Sequence, residues 1–305
     1  MKKIERVIKR KHNLEWREFH PAYLKAKQFN FFQFKDFVIP IFVNDQDKNE
    51  DTHSFLEIFL NELELCSEDK IVLLFIPVSF ELSSINTVAL FQVLRKTYPE
   101  YHLLLFGNIS RDQKSQLSNK YKVSEVSYNT VIEIPEKCEK VTLLYDGILN
   151  KKQQNNLKSY NKQFEKSGLT IKKIDWKVEQ KIMFNLYNQM CHKFGEPTVE
   201  FSLWKEISEN SDMVDWFGVY KEEILILFVG FWKSKKSAII SFLGKDLHYE
   251  KLIRDSKVYF ILFSSINEYA IKNNISKIYN GYGNYDLKKQ LGFKKLDYFM
   301  ILEGI

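Results

Sequence analysis

The chain has 305 residues, 45% of them apolar and 15% aromatic, which is enough material for two hydrophobic cores. Its formal net charge of +6 is too small to indicate nucleic-acid binding by charge alone. Three widely spaced cysteines, Cys66, Cys138 and Cys191, exclude a disulfide framework and a C-x-x-C metal set and fit a reducing cytoplasm. The longest apolar runs, 71–80 and 224–232, are too short to predict a membrane span, and no Ser/Gly/Pro-rich tract separates the two cores.

Residues 14–42 are dense in aromatics, with Trp16, Phe19, Tyr23, Phe29 and Phe31 leading toward a β-prone run over 37–43. The polar stretch 44–53 reads as a loop, and apolar spacing over 55–65 predicts a helix. Continuous apolar content over 71–78 and 101–106 predicts two buried strands, with a helix over 88–98 between them. Alternation over 127–134 predicts a strand that Pro135 closes. A polar helix over 150–166 follows, then a strand over 169–174 and a helix over 179–194. Runs at 214–220, 224–232 and 237–243 predict three consecutive strands joined by tight turns. The stretch 259–293 reads as helix, short strand over 275–279, a loop with Gly281 and Gly283, a helix beginning at Asp286, and a Leu291-Gly292-Phe293 turn. This alternation predicts an α/β (α+β) protein with mixed central sheets flanked by helices, divided into domains 1–140 and 141–305.

The segment 259–293 resembles the end of the acyltransferase domain in the FemAB/CelD-like branch of the GNAT superfamily. Gly281, Gly283, Tyr285, Lys288, Leu291 and Gly292 carry the resemblance. Upstream, HKFGEPTVEFSLWKEI (192–207) is similar to the family's Gly-x-Pro segment, and 143–174 to its long basic helix ending in Lys-x-Gly-Leu. The three segments follow the family's order within residues 128–300. The resemblance implies tandem GNAT-like domains, the first degenerate and the second holding the chemistry. It also implies direct transfer of an acyl group from a thioester, on CoA or an acyl carrier protein, to an amine of an amino sugar, amino acid or peptide precursor. No tightly bound cofactor is expected, and neither DNA nor a membrane span.

Such a transfer needs an oriented carbonyl, a deprotonated amine and donors for the developing oxyanion, but no covalent nucleophile. The sequence contains neither a G-x-S-x-G elbow nor an H-E-x-x-H spacing, which removes weight from hydrolase and metalloenzyme readings. By the resemblance, Lys288 faces the transfer cleft, where it would hold a phosphate or polarise a carbonyl; by itself it also reads as a solvated lysine beside Lys289. Tyr285 would donate to a leaving thiolate or a ribose oxygen, or cover a sheet edge. Gly281, Gly283 and Asn284 would border the donor, or only turn the chain. Glu196 is the expected general base, with Glu200, Asp215 and His192 as further candidates, and His192 is also a substrate-binding candidate or a helix-end group.

Lys158, Lys162 and Lys166 recur at i, i+4 and i+8 and form one basic stripe, a solvent face or a grip on phosphates of a nucleotide-linked acceptor or tRNA. Phe201, Trp204, Trp216 and Trp232 read as core. The Gln/Arg-x-x-Gly-x-Gly/Ala pyrophosphate loop of ordinary GNAT enzymes is absent, since residues 243–260 read LGKDLHYEKLIRDSKVYF. Two alternatives therefore stand beside the thioester reading: an aminoacyl-tRNA-dependent peptide ligase, and an inactive GNAT-like scaffold.

Overall fold

The computed structural model describes residues 30–34, 37–44, 70–75, 86–108, 111–194, 198, 200–202, 204–205, 214–233, 236–281 and 284–303. The helix expected over 55–65 and the candidate residues Glu196 and Gly283 lie outside the described residues. The chain forms two compact units, one of residues 1–129 with 296–305 and one of 130–295.

In the first unit, β1 (Asn30–Phe34) and β2 (Phe37–Asn44) pair antiparallel, β2 pairs antiparallel with β3 (Ile71–Phe75), and β3 runs parallel to β4 (His102–Asn108). The parallel pair needs a crossover, which includes α1 (Thr87–Thr97). That helix begins where Asn86 accepts the Ala89 N–H at 3.0 Å and buries Leu90, Phe91 and Leu94 on one face. Its Arg95 donates to the carbonyl oxygens of Tyr101 at 2.7 Å and Pro99 at 3.2 Å, fixing the turn into β4. A short polar helix, α2 (Arg111–Ser118), follows. The chain passes into the second unit within β5 (Lys122–Glu133).

The second unit continues with α3 (Val141–Ile148), α4 (Lys151–Lys166), β6 (Leu169–Lys173) and α5 (Trp176–Phe194). Then come β7 (Val214–Lys221), β8 (Ile224–Lys233), β9 (Ser237–Lys245), a 3-10 turn (Leu247–Tyr249), α6 (Glu250–Asp255), α7 (Val258–Lys272), β10 (Lys277–Tyr279) and α8 (Tyr285–Gln290). The last strand, β11 (Lys294–Glu303), returns to the first unit and pairs antiparallel with β4, from Tyr298 opposite Asn108 to Glu303 opposite Leu103. The expected division at 140/141 had kept residues 296–305 with the second domain.

Sheet order in the second unit is β5-β10-β9-β8-β7-β6. The pairs are antiparallel except β9 with β10, which are parallel. Every residue from Leu225 to Trp232 is buried, so helices must cover both faces of β8. On one face Tyr187 of α5 meets Trp204 and Phe242, and this aromatic layer continues through Trp216, Phe228 and Trp232. On the other, Phe217 and Phe231 pack edge-on against Tyr269 of α7. The tryptophans are thus core, as their apolar spacing predicts. No helix among the described residues is long and apolar enough to cross a membrane.

Asp215 sits at this second face under nearly complete cover. Its carboxylate pairs with Lys173 and, at 2.5 Å, with Lys233, and accepts the Tyr269 hydroxyl at 2.7 Å. Burial works to raise its pKa, but these partners outweigh burial and hold it below the ordinary carboxylate value. A depressed carboxylate contributes stability that is present above its unfolded pKa and lost as pH falls through the folded one. Asp215→Asn is therefore expected to cost about 3 kcal/mol at neutral pH, with the difference from wild type vanishing in acid. Urea denaturation at both pH values checks it.

Candidate active site

The sheet of the second unit opens beside β10. The β9–β10 ladder runs from Ser237 opposite Lys277 to Ile239 opposite Tyr279 and stops there, while β9 continues to Lys245. Past Tyr279 the chain stays with β5, because the Asn280 N–H donates to the Thr130 carbonyl at 2.9 Å. The strand end thus follows one neighbour and leaves the other, and a splay results. Along the open edge, β9 carries a bulge: Phe228 lies opposite Gly244 and Gly230 opposite Ser241, so Phe242 and Leu243 together face Val229. Phe242 has φ of 55°. A bulge bends a strand and re-aims its backbone groups, which is useful next to a reacting centre.

Lys288 secures the strand end. It is 7% exposed, and its Nζ donates to the Asn280 carbonyl and, at 3.1 Å, to the Gly281 carbonyl. The Thr130 hydroxyl donates to the same two oxygens at 3.0 and 3.2 Å. Burial pushes the Lys288 ammonium down to about 8. It is not a solvated lysine; main-chain carbonyls engage its ammonium. Beside it, the buried Asn280 side chain has an Nδ2 with no hydrogen-bond partner.

Among the other expected residues, Gly281 takes φ of 48° and Asn284 φ of 43°, so both serve the turn between β10 and α8. A Cβ on Gly281 would meet nothing within 4 Å, so the conformation and not space calls for glycine there. Tyr285 opens α8, half-buried. His192 is exposed in the last turn of α5, and Glu200 is exposed and accepts the Ser202 hydroxyl at 3.3 Å. Lys158, Lys162 and Lys166 are all exposed on α4. An open groove of about 400 Å³ runs between the first turn of α4 and α8; Lys152, Asn156, Asp286 and Lys289 line it, whereas Lys158 and Lys162 do not. The structure thus brings Gly281, Asn284, Tyr285 and Lys288 to one strand end and leaves His192 and the basic stripe on other elements. No group of three or more metal-ligating side chains occurs among the described residues. The sequence reading missed Thr130, Asn280 and the bulge at Phe242.

The second unit thus carries a three-strand meander, helices, a parallel fourth strand leaving its neighbour, and a further helix. No family model and no curated protein matches the sequence. Among solved structures, the chain is similar to the C-terminal DUF2156 domain of a protein described as a lysylphosphatidylglycerol synthetase from Agrobacterium fabrum, with TM-score 0.62, 9% identity and coverage of 98% of this chain and 92% of that one. It is also similar to FemX, with TM-score 0.61, 10% identity and coverage of 98% and 95%. The L-PGS from Bacillus licheniformis gives TM-score 0.59 and 9% identity, with coverage of 98% and 90%. At these identities the likeness is one of fold.

Proposed function

We propose that the chain is an acyl-group transferase of the FemAB/CelD-like kind, which seats an acyl thioester along the open edge of β9 and passes the acyl group directly to an amine. The observation that carries this reading is the splay itself: a parallel strand pair that parts after Ile239–Tyr279, with a bulge on the exposed edge. Main-chain groups of β9 beyond its ladder with β10 would hold an extended donor as an added strand. The donor carbonyl would meet β9 N–H groups near the bulge and the unspent Nδ2 of Asn280, which supply hydrogen bonds to the developing oxyanion. The amine nitrogen attacks the carbonyl carbon, the C–N bond forms, and the C–S bond breaks. The proton lost by the amine goes to a base, for which Glu196 stays our candidate, and the thiolate takes one from solvent or from Tyr285.

Within this reading Lys288 is a positioning residue, since it holds the carbonyls of Asn280 and Gly281. Acceleration then comes from orientation and fixed dipoles more than from acid–base chemistry. A second reading, transfer of an aminoacyl group from tRNA, is favoured by the likeness to a protein whose name specifies a lysyl group joined to phosphatidylglycerol. The test supplies acyl-pantetheine and acyl-carrier-protein thioesters, and separately charged tRNA, together with a panel of amines. The expected product is an amide, formed with one equivalent of free thiol and identified by mass spectrometry. Product from charged tRNA alone selects the second reading, and no product from either overturns transfer and leaves a binding scaffold.

A further inference from the structure

β9 ends on a buried ammonium. Lys245, its last residue, is 7% exposed and still lies opposite Leu227 of β8. Its Nζ donates to Glu250 Oε1 at 2.7 Å, and Lys193 Nζ, from the last turn of α5, reaches the same oxygen at 2.6 Å. Glu250 opens α6, with 43% of its side chain exposed. The two hydrogen bonds, that from Lys193 foremost, hold its carboxyl at about 2. Further along, Leu247 N–H donates to Gln189 Oε1 at 3.4 Å and ties α5 to the turn after β9. The neighbouring carboxylate, Asp246, accepts from the His248 N–H at 2.9 Å and lies 2.9 Å from its ring nitrogen.

One carboxylate oxygen thus occupies the point on which two ammonium groups converge, and one of those groups belongs to a side chain that is only 9% exposed. Two cations aimed at one oxygen from a strand end and a helix end form an anion site, already filled from within the chain. With Glu250 withdrawn, the buried Lys245 charge would lack its counter-ion, and a phosphate oxygen could replace the carboxylate. Position indicates which ligand this concerns. The ladder of β9 with β10 stops at Ile239 and β9 runs on to Lys245, so a donor laid along that stretch with its tail toward the strand's end would pass Glu250.

We propose that Glu250 is an internal counter-anion filling a two-lysine phosphate site at the exit of the splay, and that it excludes acyl donors whose tail carries a pyrophosphate. CoA thioesters would then be poor donors, and a thioester presented without a nucleoside diphosphate, as on a carrier protein, the preferred class. The donor's path rests on the acyl-transfer reading; the anion site does not. A tethered carboxylate competes at an effective concentration on the order of millimolar, so a free anion must outbid an intramolecular one.

The test is calorimetric titration of inorganic pyrophosphate, and separately of CoA, into the wild-type protein, Glu250→Gln, Glu250→Asp and the double variant Glu250→Gln/Lys245→Met. Wild type is expected to bind both weakly, Glu250→Gln at least about tenfold tighter, and the double variant to lose that gain. Should Glu250→Gln fail to fold with Lys245 unpaired, Glu250→Asp keeps the charge one methylene further back and is expected to show a smaller gain of the same sign. Tight CoA binding by wild type, no gain in the Glu250 variant that folds, or a gain that survives Lys245→Met overturns the proposal. Neither readout requires turnover, so a protein without transferase activity would still pass or fail this test. Its failure would leave the transfer reading to be judged by products.

Discussion

Relative to Lys288→Met, wild-type stability is expected to rise by up to about 3 kcal/mol between pH 8 and pH 10.5. The sign follows from the depressed ammonium, at about 8 in the fold against an ordinary lysine value of 10.5. Between those values the unfolded chain binds the proton more fully than the folded one, so raising the pH favours folding. Below pH 8 both states are charged and the fold bears the whole cost of burial. Urea denaturation across that range, wild type against Lys288→Met, measures it. A buried cation that costs stability is retained for what it fixes, here the carbonyls of Asn280 and Gly281. Lys288→Met should therefore speed hydrogen exchange at the Asn280 amide and lower transfer by about 100-fold, since a shift of roughly 1 Å in a bound group is enough for that. Unchanged exchange together with lost transfer would move Lys288 from positioning to chemistry.

Gly292→Ala is expected to destabilise the protein by about 3 kcal/mol. Gly292 has φ of 87°, outside the range that an L side chain adopts without strain. A Cβ there would also stand 2.4 Å from Ile148 Cδ1 and 2.9 Å from its Cγ1, on the side chain that ends α3. Ile148 and Leu149 would have to retreat together, in a core that already buries Leu149, Leu291 and Phe293. Thermal unfolding of the variant checks the magnitude. Gly281→Ala is the informative contrast, since it carries the backbone strain without the clash and should cost less.

Those two glycines illustrate how far the sequence could be read. Leu291-Gly292-Phe293 announced a turn, and the turn is there, but its partner Ile148 lies in α3, where no periodicity stood out. The β7–β8–β9 meander was legible because Leu225 to Trp232 is apolar without a break and short polar turns flank it. β11 was not, because its partner β4 lies some 190 residues earlier and a ten-residue run such as KKLDYFMILE does not say which sheet it will join. Of the candidate site, Lys288 and Tyr285 could be found by motif. The partners of Lys288 could not, since they are main-chain carbonyls, which any residue would supply. Phe242 at positive φ contradicts the local preference of its side chain, so only the register against β8 reveals the bulge. The Asp215 cluster draws Lys173, Lys233 and Tyr269 from three other elements, a proximity that sequence spacing does not encode.

The return of β11 has a consequence for biosynthesis. The second unit is a single unbroken segment, 130–295, whereas the first is completed by residues 296–305. On a ribosome, β1 to β4 must wait, with the β4 edge uncovered, until the second unit has been made and β11 has cleared the exit tunnel. During that interval the uncovered edge of β4, a strand that carries Leu103, Leu104 and Leu105, is open to pairing with another strand.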